Sequence, residues 1–330
     1  MIAACREGVA VLGIGSHVPS RVVTNDEIAT MVETSDEWIS QRTGIHERRI
    51  AAPGDSSATL GAEAARLALA SAGMAPTDLD LIVAATASPD YYFPATASLI
   101  GDAIGAVDVA GYDLSAACTG FIYALAQGYS QIASGLADTV LVVGTEVFSR
   151  LLDWGDRSTC ILFGDGAGAV VLGRSDAGGG LRGFEMGADG SGGLLLSVAA
   201  AGNAKLQEEG PFVKMNGPEV YKFATRVIVE SAVRCLEVAG MTVADVDVFV
   251  PHQANRRIID HAARRLGIDE GKVFANVDRY GNTSAGSIPI GLDEAWRQGL
   301  IDRGDIVLMV GFGGGLAWGS AVVEWTKERA

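Results

Sequence analysis

The chain has 330 residues and a mass of 34.1 kDa, which at about 150 residues per domain suggests two structural units. Hydrophobic residues make up 48%, ample for a large core and too many for a disordered chain. The net charge of −15, from 25 basic and 40 acidic side chains, argues against a general nucleic-acid binder. Glycine is in excess, 43 residues without a Gly-X-Y period, which points to tight turns and close backbone contacts rather than collagen.

No apolar run approaches the roughly 18–20 residues of a membrane-spanning helix. The N-terminus reads as a first strand, not a signal peptide. Strand patterns are expected at 9–14, 79–85, 109–114, 139–144, 246–250 and 306–311, as short apolar runs of the kind buried in a parallel or mixed sheet. Helical spacing is expected at 61–72, 118–134, 221–239, 255–266 and 287–299. The alternation predicts an α/β layered fold. An internal repeat sharpens it. Residues 72–83 match 239–250, and residues 138–144 match 305–311, both at a separation of 167. Two duplicated halves are therefore expected, 1–175 and 176–330, joined through the glycine-rich stretch 176–180. The first half carries an insertion at about 145–162, before a glycine-rich strand that both halves share.

Four cysteines, Cys5, Cys118, Cys160 and Cys235, stand far apart with no CxxC pair. This is no disulfide scaffold, and a reducing cytoplasm is expected. Cys118 follows a strand and small residues and opens a helix, where the macrodipole favours a thiolate. Taken alone, it reads as a nucleophile or as a buried structural cysteine. His252 leaves a buried strand just before a helix, the sheet edge where α/β sites form; a hydrogen-bonded core histidine is the other reading. Asn282 lies in a turn feeding a helix and reads equally as a cap. No metal-ligand spacing occurs, and neither 13–18 nor 164–168 meets the strand–glycine–helix context of a nucleotide loop.

These features in order resemble one family, β-ketoacyl-acyl carrier protein synthase III of the thiolase-like superfamily. The resemblance rests on Cys118 and on Val250-Pro-His-Gln-Ala-Asn255, Gly281-Asn-Thr-Ser284 and Gly313-Gly-Gly315. It is reinforced by Thr34-Ser-Asp-Glu-Trp-Ile39, Arg42-Thr-Gly-Ile45 and Phe163-Gly-Asp-Gly-Ala-Gly168, and it covers nearly the whole chain. It implies a thiolase-like fold, two duplicated α/β halves in an αβαβα arrangement. It implies a decarboxylative Claisen condensation that initiates fatty acid synthesis. A short acyl-CoA primer, typically acetyl-CoA, acylates Cys118, and malonyl-acyl carrier protein then supplies an enolate.

By the same resemblance, His252 and Asn282 stabilise the enolate and the N–H groups of Cys118 and Gly314 the oxyanion. Phe312 stands beside the malonyl carboxylate. Trp38, Arg42 and Arg157 match residues that hold coenzyme A. Coenzyme A thioester is thus a substrate, and no cofactor or metal is implied. Phe93 matches an aromatic residue that closes the partner subunit's acyl pocket, which implies a homodimer and a preference for short primers. Gln253, Ala254 and Asn255 are placed at the carrier-protein contact. Arg256, Arg257, Arg264 and Arg265 form the basic helix expected to dock that acidic carrier; residues 257 and 264 lie about 20° apart on one face. Neither nucleic acid nor membrane is an expected partner.

One departure is Pro218, where some members carry an asparagine near the pantetheine arm. A degradative thiolase is disfavoured because 311–319 lacks a second cysteine, and a non-catalytic partner subunit because Cys118 is present. A related synthase of secondary metabolism is the alternative.

Overall fold

Strands without a polar face need cover on both sides, and the architecture supplies it. The structure, a computed structural model, describes residues 1–5, 8–175, 178–200 and 204–329. Asp176 and Ala177 of the expected link lie outside these residues. One five-stranded sheet runs in the order Val9–His17, Gly166–Arg174, Thr139–Glu146, Leu81–Ala85 and Ala110–Leu114. The other runs Ile2–Ala4, Gly180–Ala188, Ala317–Glu324, Ile306–Gly313 and Val248–Pro251. Segments related by 167 residues occupy equivalent places. Leu81–Ala85 runs parallel to Thr139–Glu146, as Val248–Pro251 does to Ile306–Gly313. Beyond Leu81–Ala85 lies the parallel strand Ala110–Leu114, and beyond Val248–Pro251 a single parallel bridge from Phe249 to Val273. Ile2–Ala4, although early in the chain, pairs with Gly180–Ala188 in the second sheet.

Helices complete five layers, the thiolase-like αβαβα fold. Ser57–Ala72 covers the outer face of the first sheet. Its start is set by a capping box between Ser56 and Thr59, and its end by Gly73 at φ 68°. Gly217–Val238 and Arg256–Leu266 cover the second sheet. Pro218 sits in the first turn of Gly217–Val238, where its missing N–H costs nothing, with Asn216 as cap. Between the sheets run Gly120–Ala133 and Ser287–Arg297, whose Phe121, Leu125, Ile288 and Leu292 join Val142, Val170, Val307 and Met309 in one core.

Paired glycines let the central helix starts come this close. Gly144 opposes Gly168 in the first sheet. A Cβ on Gly144 would lie 2.2 Å from the Ala285 carbonyl oxygen, and one on Gly168 2.7 Å from Pro289. In the second sheet Gly311 opposes Gly319. A Cβ there would lie 3.3 Å from Thr119 Cα and 3.0 Å from Ile122, respectively. Each sheet thus cradles the helix start that belongs to the other half.

A small lobe closes one side. Arg21–Thr24 pairs with Glu47–Ile50 around the helices Asn25–Ala29 and Asp36–Thr43. The fully buried Arg48 ties it down by donating to Val23 O (3.2 Å), Asn25 Oδ1 (2.9 Å) and Ile161 O (2.8 Å).

Gly144→Ala should therefore destabilise the protein by about 1–3 kcal/mol through overpacking. Gly54→Ala, with open space around it, should be near neutral. Denaturation midpoints of the two variants check this, and equal midpoints would refute the cradle.

Candidate active site

The strand Ala110–Leu114 delivers the chain to a tight elbow. Ala117 adopts φ 46°, and Cys118 follows in the 3₁₀ turn Ala117–Thr119 that leads into Gly120–Ala133. On the other half, Ser284 also adopts φ 46°, just after Asn282 and just before Ser287–Arg297. Ala117 and Ser284 are 167 residues apart, so the two elbows are repeat equivalents. Left-handed backbone at a non-glycine residue costs of order 1–3 kcal/mol and persists only where packing dictates it. Here the opposing glycines do so. One elbow presents a thiol and the other an amide.

They meet in a cavity of about 150 Å³, lined by Cys118, His252, Asn282, Phe312, Gly313 and Tyr221 among others. Two wider grooves, of about 610 and 570 Å³, contain none of these side chains. His252 leaves the strand Val248–Pro251 with its N–H bonded to Val310 O at 2.8 Å. Its ring stands edge-on to Phe312 with centroids 5.2 Å apart. Gly313 is forced by proximity, because a Cβ there would lie 2.8 Å from that of Cys118. Gly314, half-buried, follows at the end of the same strand.

The electrostatics are those of a dry site. Burial pushes the Cys118 thiol up to about 12, against hydrogen bonds from Ser284 and Asn282 that pull it down. The expected helix-start thiolate is thus corrected: the cysteine precedes the helix proper, and desolvation outweighs the dipole in the resting site. Burial lowers His252 to about 3, so its imidazole is neutral at pH 7. His252 Nδ1 lies 2.5 Å from Ser287 Oγ, which also receives the Gln253 N–H at 3.4 Å. A Ser287 hydroxyl proton on Nδ1 would leave the imidazole proton on Nε2. The Asn282 side-chain oxygen accepts the Ser284 N–H at 2.8 Å, which leaves its NH₂ for the cavity.

Outside the cavity, Arg42 and Arg157 lie over the Trp38 ring, 4.6 and 4.7 Å from its centroid. Arg157 comes from the insertion and is held through Glu33 O at 2.8 Å. The residues assigned to carrier contact divide. Gln253 is 1% exposed. Its side chain is used within the fold by Pro251 O, Phe274 O and the Asn276 N–H, so it cannot reach a surface partner. Asn255 caps the arginine helix and donates to Arg42 O, and with Ala254 it borders the cavity. Arg256 pairs with Asp260 and Glu270. Arg257, Arg264 and Arg265 are exposed, and among the described residues no carboxylate lies within ion-pair distance of them. Phe93 is 87% exposed beside exposed Tyr91 and Tyr92, away from the chain's own cavity.

Sequence reading missed Ser284 and Ser287 as supports, although both lie beside the Asn282 motif. It also missed Glu146, a buried carboxylate that accepts from Ser284. The 167-residue offset places Glu146 opposite Gly313, a signal that was available. Among the described residues no group of three or more His, Cys, Asp or Glu side chains could hold a metal ion. All four cysteines are free. No helix of the described residues is long and apolar enough to cross a membrane.

Two family models match, 3-oxoacyl-[acyl-carrier-protein] synthase III over residues 112–190 and its C-terminal counterpart over residues 236–325. A β-ketoacyl-[acyl-carrier-protein] synthase III of Desulfitobacterium hafniense is 50% identical, covering 97% of this chain and 98% of that one. The crystal structure of 3-oxoacyl-[acyl-carrier-protein] synthase III from Aquifex aeolicus superposes with a TM-score of 0.92 at 45% identity, covering 96% of this chain and all of that one. A priming β-ketosynthase from the R1128 polyketide pathway superposes at 0.93 with 39% identity, covering 98% of each chain. The chain belongs to the β-ketoacyl-acyl carrier protein synthase III family, acyltransferases of the condensing-enzyme class. The higher identity to synthases III disfavours the secondary-metabolism alternative.

Ser287→Ala should release the His252 tautomer and lower the condensation rate about tenfold, the worth of ~1.4 kcal/mol. Nitrogen NMR of the imidazole should then show mixed tautomers. An unchanged single tautomer would refute the role of Ser287.

Proposed function

We propose that this chain performs its family's decarboxylative condensation with Cys118 as nucleophile and His252 and Asn282 as paired donors. The carrying observation is the shared cavity of a thiol, a neutral imidazole and an oriented amide on two repeat-equivalent elbows. The primer thioester meets the Cys118 sulfur, and the tetrahedral oxyanion takes the backbone N–H groups of Cys118 and Gly314. Coenzyme A leaves as its thiol, taking up the proton that the Cys118 thiol gives up. The malonyl thioester of the carrier then enters, with its carbonyl between His252 Nε2–H and the Asn282 NH₂. Loss of carbon dioxide turns that carbonyl into an enolate oxygen. Two neutral donors stabilise it without binding the ground-state carboxylate as a cation would. The apolar Phe312 ring disfavours that carboxylate further. The enolate carbon attacks the acyl group, and Cys118 is released.

Coenzyme A is a substrate here, held outside the cavity by Trp38, Arg42 and Arg157. Adenine would enter against the indole face that the two guanidiniums now cover, and the arginines would turn to phosphate. The small cavity, equal to roughly five waters of liquid volume, favours a short primer such as acetyl-CoA. A homodimer is supported by the unpaired outer edge of Ala110–Leu114 and the exposed aromatic run Tyr91 to Phe93 beside it. Phe93 would then close the partner's acyl pocket.

An acidic carrier protein would dock on the arginine helix. Arg257, Arg264 and Arg265 are free to receive it, and Arg226 and His261 share a surface cleft with Arg265. Arg257 also lies 5.9 Å from the Tyr221 ring at the cavity wall.

Incubation with acetyl-CoA should leave an acetyl group on the Cys118 peptide, seen by mass spectrometry and absent in Cys118→Ala. In competition, acetyl-CoA should label faster than octanoyl-CoA. No adduct would sink the mechanism, and faster octanoyl labelling would sink the primer assignment. Arg257→Glu should raise KM for malonyl-carrier protein about tenfold at low salt, with the difference fading as salt screens it. An unchanged KM would rule out docking on this helix.

A further inference from the structure

The two enolate donors stand on separate segments. His252 directly follows the strand Val248–Pro251, and Asn282 lies between the helices Val277–Tyr280 and Ser287–Arg297. Hydrogen bonds lead back from both to one side chain, Glu294. Glu294 lies on the helix Ser287–Arg297, seven residues after Ser287. At 3.6 residues per turn the two are about 20° apart on one face and about 10 Å apart along the axis. The face that brings Ser287 Oγ to His252 Nδ1 therefore also carries Glu294.

The Glu294 side chain is 17% exposed and receives three donors from one short segment. The Tyr280 hydroxyl donates to Oε1 at 2.5 Å. Asn276 Nδ2 donates to Oε2 at 3.0 Å, and Arg279 Nη2 to Oε2 at 2.8 Å. Asn276 immediately precedes the one-turn helix Val277–Tyr280 and Tyr280 ends it, and both are buried. One carboxylate thus pins both ends of that turn. A half-exposed ion pair with Arg279 alone would be worth little. Three convergent donors fix a geometry.

Each end of the turn continues to a donor. The Asn276 N–H donates to Gln253 Oε1 at 3.0 Å, and Gln253 Nε2 donates to Pro251 O at 2.7 Å. Pro251 and Gln253 flank His252 in the chain. From Tyr280 the chain passes through Gly281, at φ 62°, to Asn282. That passage has no slack. A Cβ on Gly281 would lie 2.7 Å from Leu162 O, and one on Gly164 2.3 Å from Tyr280 O. The Asn282 N–H donates to Leu162 O at 2.8 Å, and Asn282 O accepts the Gly164 N–H at 3.0 Å. A shift of Tyr280 is passed on to Asn282 rather than absorbed.

We propose that Glu294 is a positioning residue that holds His252 and Asn282 in a common register for enolate formation. The proposal rests on the reading of these two as the enolate donors. Such donors act only when aimed at the place where charge develops, and a misplacement of about 1 Å can cost about 100-fold in rate. Acylation of Cys118 does not draw on this clamp. Its oxyanion donors are the N–H groups of Cys118 and Gly314, and none of the contacts just described involves either residue. Glu294 therefore serves one half-reaction of two.

Two single-turnover measurements on the full-length protein separate the halves. One follows acetylation of Cys118 by acetyl-CoA. The other follows release of labelled carbon dioxide when malonyl-carrier protein is added to the acetylated enzyme. Glu294→Gln keeps the side chain's size but turns one acceptor into an NH₂ that faces donors. It should slow carbon dioxide release about tenfold. Cys118 acetylation and the half-saturating concentration of malonyl-carrier protein should not change. Tyr280→Phe removes one hydroxyl; it should slow the same step by a smaller factor, and it decides the matter if Glu294→Gln does not fold. In Asn282→Ala, where one aimed donor is already gone, Glu294→Gln should cost less than in the wild type. A general loss of packing would slow both half-reactions together and would add fully to Asn282→Ala. Either result, or an unchanged rate of carbon dioxide release, would overturn the role of Glu294. A wild-type rate of release in Asn282→Ala itself would instead overturn the donor assignment beneath it.

Discussion

The site depends on close approach between backbones. Gly144 with Gly168, and Gly311 with Gly319, are cross-strand neighbours that remove every side chain from a patch of each sheet. Into each bare patch fits the elbow that begins the other half's central helix. A methyl group at Gly144 would occupy the space of the Ala285 carbonyl. That steric fact holds Ala117 and Ser284 in left-handed backbone and sets a thiol and an amide side by side. Protein interiors are too densely packed for such contacts to be shared out elsewhere.

Burial between two sheets has an electrostatic consequence. The groups that react are all pushed toward their neutral forms, the thiol upward and the imidazole downward. A resting site with little charge lets fixed dipoles act strongly on charge that appears only in the transition state. The neutral imidazole and the amide suit an enolate for this reason, since both donate a hydrogen bond without attracting the carboxylate that must leave. Burial pushes the Glu146 carboxyl the same way, upward, against the hydrogen bonds it accepts from Ser88, Ala87 and Ser284.

The outer surface follows a different logic. An acidic protein that must receive an acidic carrier needs a local reversal of sign, and the exposed arginines of Arg256–Leu266 supply one. That helix also meets the small lobe bearing Trp38 and Arg42, because Asn255 reaches Arg42 O and Gly44 leaves room for the Arg256 side chain. The coenzyme A and carrier regions are therefore joined through the element that starts just after His252.

Much of this was legible in the chain itself. The 167-residue repeat identified the layered α/β fold, because duplicated units preserve the apolar periodicity that forms matching strands. The signatures around Cys118, His252 and Asn282 identified the family, because the reaction needs those side-chain types in those local contexts. Local context could not show that Gln253 turns inward, because its hydrogen-bond partners Phe274 and Asn276 are more than 20 residues away. Nor could it show that Cys118 is a buried thiol, since desolvation is set by the second sheet closing over the elbow. The partners of Glu146 and Ser287 were hidden for the same reason, since Ser88 and His252 lie far from them along the chain. Sequence alone determined the fold, the family and the reacting residue types, which depend on local pattern and composition. Tertiary structure decided their protonation states, their hydrogen-bond partners and which arginines are free, because those depend on groups brought together only when the two halves pack.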